Sequence, residues 1–192
     1  MYIGIALLTD SNVHNLGRSI TFNLNKKYNT VIESALLPQH ISLKQSFPYK
    51  GDIRKIETYL YEFFASIKPI KICIEKIEIK LLSEAKILAW FDVIENKELK
   101  GIHKQLCSEL KEKFDIKPLG FDGSNWKFHS TLTCSDIDKN YIKELFHEYN
   151  NMKISLDFQA CQAVMFCCVG DNTKTSEYFS YKIFNIDNFN EY

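Results

Sequence analysis

Two copies of one short pattern, His40-Ile41-Ser42-Leu43 and His129-Ser130-Thr131-Leu132, stand 89 residues apart, each in a strand-like segment set between helix-patterned stretches. Residues two apart on a strand share a face. His40 and Ser42 therefore point one way while Ile41 and Leu43 point into a core. His129 and Thr131 share a face with Phe128 and Leu132 opposite, and Ser130 is the polar exception on the apolar side. Five histidines give about half a His-x-Ser/Thr match by chance at average composition, so one copy means little. Two copies, each followed by leucine, imply two related halves facing each other.

The rest of the chain fits that duplication. Met1 to Leu8 reads as a first strand, and Asp10 or Ser11 caps a helix carrying Val13, Leu16, Ile20 and Leu24 at three-to-four spacing. Leu36 to Phe47 alternates as a strand that Pro48 ends; Asp52 caps a second helix through Ile56, Leu60 and Phe64. Ile70 to Ile79 alternates with a slip at Glu75-Lys76 that predicts a bulge, and Lys86 to Ile94 is a more apolar strand. A third helix carries Leu99, Ile102, Leu106, Leu110 and Phe114, Trp126 to Cys134 reads as a strand, and a fourth helix follows Asp136 or Asp138. Met152 to Ala160, Gln162 to Val169 and Glu177 to Ile186 are strand-like, the last two joined by a turn at Gly170-Asp171-Asn172. The expected fold class is α+β: two mostly antiparallel sheets with flanking helices in two lobes around a central cleft, related by a pseudo-two-fold. The expected domain organisation is one bilobal unit spanning residues 1–192.

Charge narrows the partners. With 24 basic and 24 acidic residues the chain has no global field for phosphate neutralisation, so long duplex DNA is excluded as an expected partner. No apolar run reaches the ~20 residues of a spanning helix, and the first strand lacks a basic start and cleavage site, so no membrane and a cytoplasmic location are expected. The six cysteines (Cys73, Cys107, Cys134, Cys161, Cys167, Cys168) show no zinc-ligand spacing and are expected as buried thiols. No metal and no cofactor is called for.

The histidine rows extend. Alternation carries Lys44 and Ser46 along the first row, while Lys127 and Thr133 flank the second. Imidazole, hydroxyl and ammonium together suit a phosphate: hydroxyl and ammonium hold nonbridging oxygens while imidazole moves protons. Solvated surface positions are the competing use of the two lysines. Phe47, Tyr49, Phe121 and Trp126 lie near the motifs in sequence and could stack a base, with core packing as the preferred reading of each. His14, His103 and His147 sit alone on helices and are assigned to surfaces. The Gly120 to Asn125 loop lacks phosphate-loop spacing and is read as a mobile rim beside His129.

Pro38-Gln39-His40-Ile41-Ser42-Leu43-Lys44 and Phe128-His129-Ser130-Thr131-Leu132 resemble the motifs of the two-histidine phosphoesterases, which include RNA 2',5'-ligase-like proteins and cyclic phosphodiesterases. The resemblance covers nearly the whole chain; Ser42 stands where threonine is commoner. It implies His40 and His129 as a catalytic pair working without metal, with Ser42 and Thr131 as phosphate-binding hydroxyls. The implied activity is hydrolysis of a 2',3'-cyclic or 2',5'-linked phosphodiester of a nucleotide or RNA end. RNA 2',5'-ligation at the same site and non-catalytic binding of nucleotides or RNA ends are the alternatives. Which histidine is acid, the natural substrate and the oligomeric state stay open, with a monomer favoured.

Overall fold

The computed structural model describes residues 1–120, 122, 123 and 125–187. Eight strands and four helices are described, in the order β1 (Tyr2–Leu8), α1 (Ser11–Tyr28), β2 (His40–Pro48), α2 (Ile53–Ala65), β3 (Ile70–Leu81), β4 (Lys86–Val93), α3 (Lys97–Phe114), β5 (His129–Asp136), α4 (Ile142–Tyr149), β6 (Lys153–Ala160), β7 (Gln162–Cys168) and β8 (Tyr178–Asn185). They form two four-stranded sheets, β2-β1-β7-β8 and β5-β4-β3-β6, with every pairing antiparallel. The α+β expectation holds.

The two halves repeat in detail. β4-α3-β5 reproduces β1-α1-β2, and each time the last strand becomes a sheet edge next to the first. Both α1 and α3 span 18 residues. Each opens on a side-chain cap, Asp10 accepting from the Val13 N–H and Asn96 from the Leu99 N–H, both at 2.8 Å, which satisfies an otherwise orphaned donor. Each ends on a residue with left-handed backbone, Asn29 (φ 54°) or Asp115 (φ 53°), whose N–H closes the last turn. The bulge predicted near Glu75 is present: β3 slips register between Ile74 and Lys76 against both of its neighbours.

Helical periodicity puts Leu99, Leu106 and Leu110 on the buried side of α3, and Val13, Ile20 and Leu24 on that of α1. These residues join the inner faces of both sheets in one large apolar core. A separate small cluster of Ala6, Leu37, Val164 and Phe166 forms elsewhere on the first sheet. The cysteines divide: Cys107, Cys167 and Cys168 are buried as expected, but Cys134 and Cys161 are exposed, and all six are free thiols.

Candidate active site

The two histidine strands β2 and β5 are edges of their own sheets and lie against each other where the lobes meet. An edge strand leaves outward backbone groups unpaired. Here side chains of the opposite half take them. Thr21 of α1 donates to the Leu132 carbonyl of β5 at 2.9 Å, and His103 Nδ1 of α3 bonds the Leu43 carbonyl of β2 at 2.6 Å. Ser34 also donates to the Leu132 carbonyl. Each half thus braces the strand that carries the other half's histidine.

Gln39 links the motifs directly. Its Nε2 donates to the Thr131 carbonyl at 3.3 Å, and its Oε1 accepts from Ser130 at 2.6 Å. This explains why a serine stands on the apolar side of the second motif: Ser130 is buried, and Gln39 satisfies it. Gly17 makes room, since a Cβ there would meet Gln39 Cδ at 2.8 Å.

Both imidazoles are held in the same way. His40 Nδ1 lies 2.8 Å from the Pro38 carbonyl, and His129 Nδ1 lies 2.9 Å from the Lys127 carbonyl, each two residues back. A carbonyl only accepts, so Nδ1 must be the donor and each neutral ring keeps its lone pair on Nε2. His40 leans on Phe166, with ring centroids 4.6 Å apart, and His129 meets the edge of Trp90 at 6.0 Å. Burial pushes both imidazoles below the ordinary value of 6.5. At His40 the Pro38 carbonyl opposes the shift and the charge of His129 adds to it. At His129 the Lys127 carbonyl opposes, the Lys127 ammonium adds, and Asp92 opposes.

A cavity of 210 Å³ opens at this junction, lined among others by His40, Ser42, Thr131, Phe166 and Tyr178. The structure thus brings His40, Ser42 and Thr131 to one cavity, and His129 stands two strand positions before Thr131 on β5.

The lysines behave differently from the row that alternation predicts. In β2, Ala6 pairs with Ser42 and Ile5 with Lys44, leaving Leu43 as an extra residue; in β5, Trp90 pairs with Thr131 and Ala89 with Thr133, leaving Leu132 extra. The bulge breaks the alternation at the leucine that ends each motif. Lys44, although part of the cavity lining, is buried and its ammonium sits 2.5 Å from Asp122. Lys127 is paired with Glu78 at 2.5 Å and Asp92 at 3.1 Å. Neither ammonium is left uncompensated.

Of the two uses open to the nearby aromatics, core packing holds and base stacking does not. Phe47, Tyr49 and Trp126 are buried in the main core, and Trp126 lies flat on His103 at 5.0 Å; Phe121 lies outside the described residues. Sequence proximity misled here, since the cavity takes its aromatic rings, Phe166 and Tyr178, from the distant β7 and β8. His103, assigned to the surface, is buried, with Nε2 accepting from the Gly123 N–H at 3.2 Å. Its spacing from Leu99, Leu106 and Leu110 was the signal for burial. His14 is half-buried and accepts the Gln39 N–H at 3.1 Å, whereas His147 is exposed as expected. Asp122, in the loop read as a mobile rim beside His129, is instead tied into β2 through Lys44.

No family model and no curated protein matches the chain. Among solved structures it is similar to TT0787 of Thermus thermophilus, with a TM-score of 0.69 and 12% identity over 97% of this chain and 98% of that one. It is similar to a protein described as a phosphoesterase, with a TM-score of 0.57 and 10% identity over 96% and 97% of the two chains. It is also similar to LigT of E. coli, complexed with NADP+ (TM-score 0.56, 8% identity, 96% of each chain) and with 3'-AMP (0.54, 11%, 96% of each). This chain shares the fold of these structures. Among the described residues no cluster of three or more His, Cys, Asp or Glu side chains is arranged to hold a metal ion, and no helix is long and apolar enough to cross a membrane.

Proposed function

We propose that the chain is a phosphoesterase that hydrolyses a 2',3'-cyclic or 2',5'-linked phosphodiester of a nucleotide or RNA end, using His40 and His129 as an acid/base pair without a metal. One observation carries this reading: both rings are anchored through Nδ1 to a carbonyl two residues back, which leaves Nε2 of each for proton transfer, His40 in the cavity wall and His129 two strand positions before the lining Thr131. Neutral imidazole at one Nε2 takes a proton from water as its oxygen bonds to phosphorus. Imidazolium at the other gives its proton to the ribose oxygen as the P–O bond breaks on the opposite side, the in-line arrangement. Ser42 and Thr131 donate to the nonbridging oxygens. The nucleotides held by LigT, NADP+ and 3'-AMP, support a substrate of that class.

The test is incubation of the purified protein in EDTA with 2',3'-cyclic nucleotides and 2',5'-oligoadenylates. Hydrolysis at an undiminished rate is expected. Strict metal dependence, joining of RNA ends, or binding without turnover overturns the proposal.

The pH profile follows from the environment of the rings. Activity needs one ring charged and one neutral, so kcat/KM peaks between the two apparent pKa values of the free enzyme. Both lie below 6.5, which places the maximum on the acid side of that value with a decline above it. A maximum above about pH 7.5 contradicts the stated electrostatics.

A further inference from the structure

We propose that, among the substrates named above, this cleft favours a mononucleotide 2',3'-cyclic phosphate carrying a single negative charge over nucleotides and RNA ends with additional phosphate groups beside the reacting one. The inference rests on the two-histidine reading of the same site. Phosphate-rich ligands are normally met by arginine forks or free lysines. The sequence has only two arginines, and neither lines the cavity: Arg54 pairs with Asp52 on the surface of α2, and Arg18 lies over Phe22. The lining cation, Lys44, is neutralised by Asp122, with both side chains almost fully buried. On the His129 side, Glu78 and Asp92 face Lys127, and Glu78 also holds Lys76 at 2.7 Å, so two carboxylates balance two ammonium groups. Lys174, next to the lining residue Thr175, has Asp171 at 3.9 Å. The residues outside the described set (Phe121, Ser124 and 188–192) include no lysine or arginine.

Among the described residues no unpaired lysine or arginine lines the cavity, so the positive charge within it is what imidazole protonation brings. Catalysis needs one imidazole charged and the other neutral, which gives one positive charge against one phosphodiester anion. A second negative charge finds a counterpart only when the other ring is also protonated, and that removes the base. The first-sheet wall adds to the discrimination. Ala6 and Leu37 line the cavity from the same apolar cluster as Phe166, and such a wall desolvates an unpaired charge without compensation. Ser34, Ser42, Ser46, Thr131, Thr175 and Tyr178 supply neutral hydroxyls, suited to sugar and ester oxygens.

The experiment compares kcat/KM for cytidine 2',3'-cyclic phosphate with that of the same nucleotide bearing a 5'-phosphate, at low and at physiological ionic strength. The 5'-phosphate is expected to lower kcat/KM by about tenfold, about 1.4 kcal/mol. For the unmodified substrate the rate is expected to change less than about twofold with salt, since a balanced cleft has little field to screen. Thr175→Lys, which adds an ammonium at the wall, is expected to narrow the difference between the two substrates. Turnover with no discrimination, or a steep fall with salt, overturns the inference and leaves the two-histidine reading standing. Absence of turnover of both substrates overturns the two together.

Discussion

Alanine in place of His40 or His129 lowers turnover by about 10²–10⁴-fold, the usual worth of a positioned acid or base. Each ring is half-buried on an aromatic neighbour, so lost packing is the competing explanation for a defect. Asparagine separates the two. It retains a side-chain donor for the Pro38 or Lys127 carbonyl but has nothing at the place of Nε2, so His40→Asn and His129→Asn should be as inactive as the alanine variants while melting near the parent temperature. The measurements are kcat and the thermal transition of each variant. Ordinary turnover in both alanine variants would remove the catalytic assignment.

The second large effect is on stability. Asp122→Ala leaves the Lys44 ammonium buried with no counter-charge, and it strips the Leu119 N–H of an acceptor at 2.7 Å. Breaking one partner of a buried ion pair costs about 3–5 kcal/mol. For a chain of this size that is a fall in Tm of roughly 6–20 °C. Lys44→Met combined with Asp122→Leu removes both charges and should recover much of the loss, because the pair offsets its own desolvation only in part. A single variant that melts within about 2 °C of the parent would show that the carboxylate does not hold this loop to β2.

The helices and strands were legible because their periods and caps are local: Asp10, Asp52 and the slip at Glu75 all act within a few residues. The histidine row was legible as far as Ser42 and Thr131, since alternation survives up to those positions. It failed one residue later. A bulge adds a residue without leaving a compositional mark, and it places Lys44 in a buried ion pair with a loop 78 residues away. The neutralisation of Lys127 was illegible for a related reason, since Glu78 and Asp92 arrive from β3 and β4 only once strand register is set. Phe166 and Tyr178 likewise become neighbours of His40 and Ser42 through the sheet order β2-β1-β7-β8, which no local pattern encodes.

The reciprocal bonds from Thr21 to Leu132 and from His103 to Leu43 have a consequence for binding. With each reactive strand propped by a helix from across the molecule, the span between the imidazoles is settled when the chain folds and not when a ligand arrives. In the proposed reaction a substrate then meets rings already held in place, and little of its binding energy is diverted into rearranging the protein.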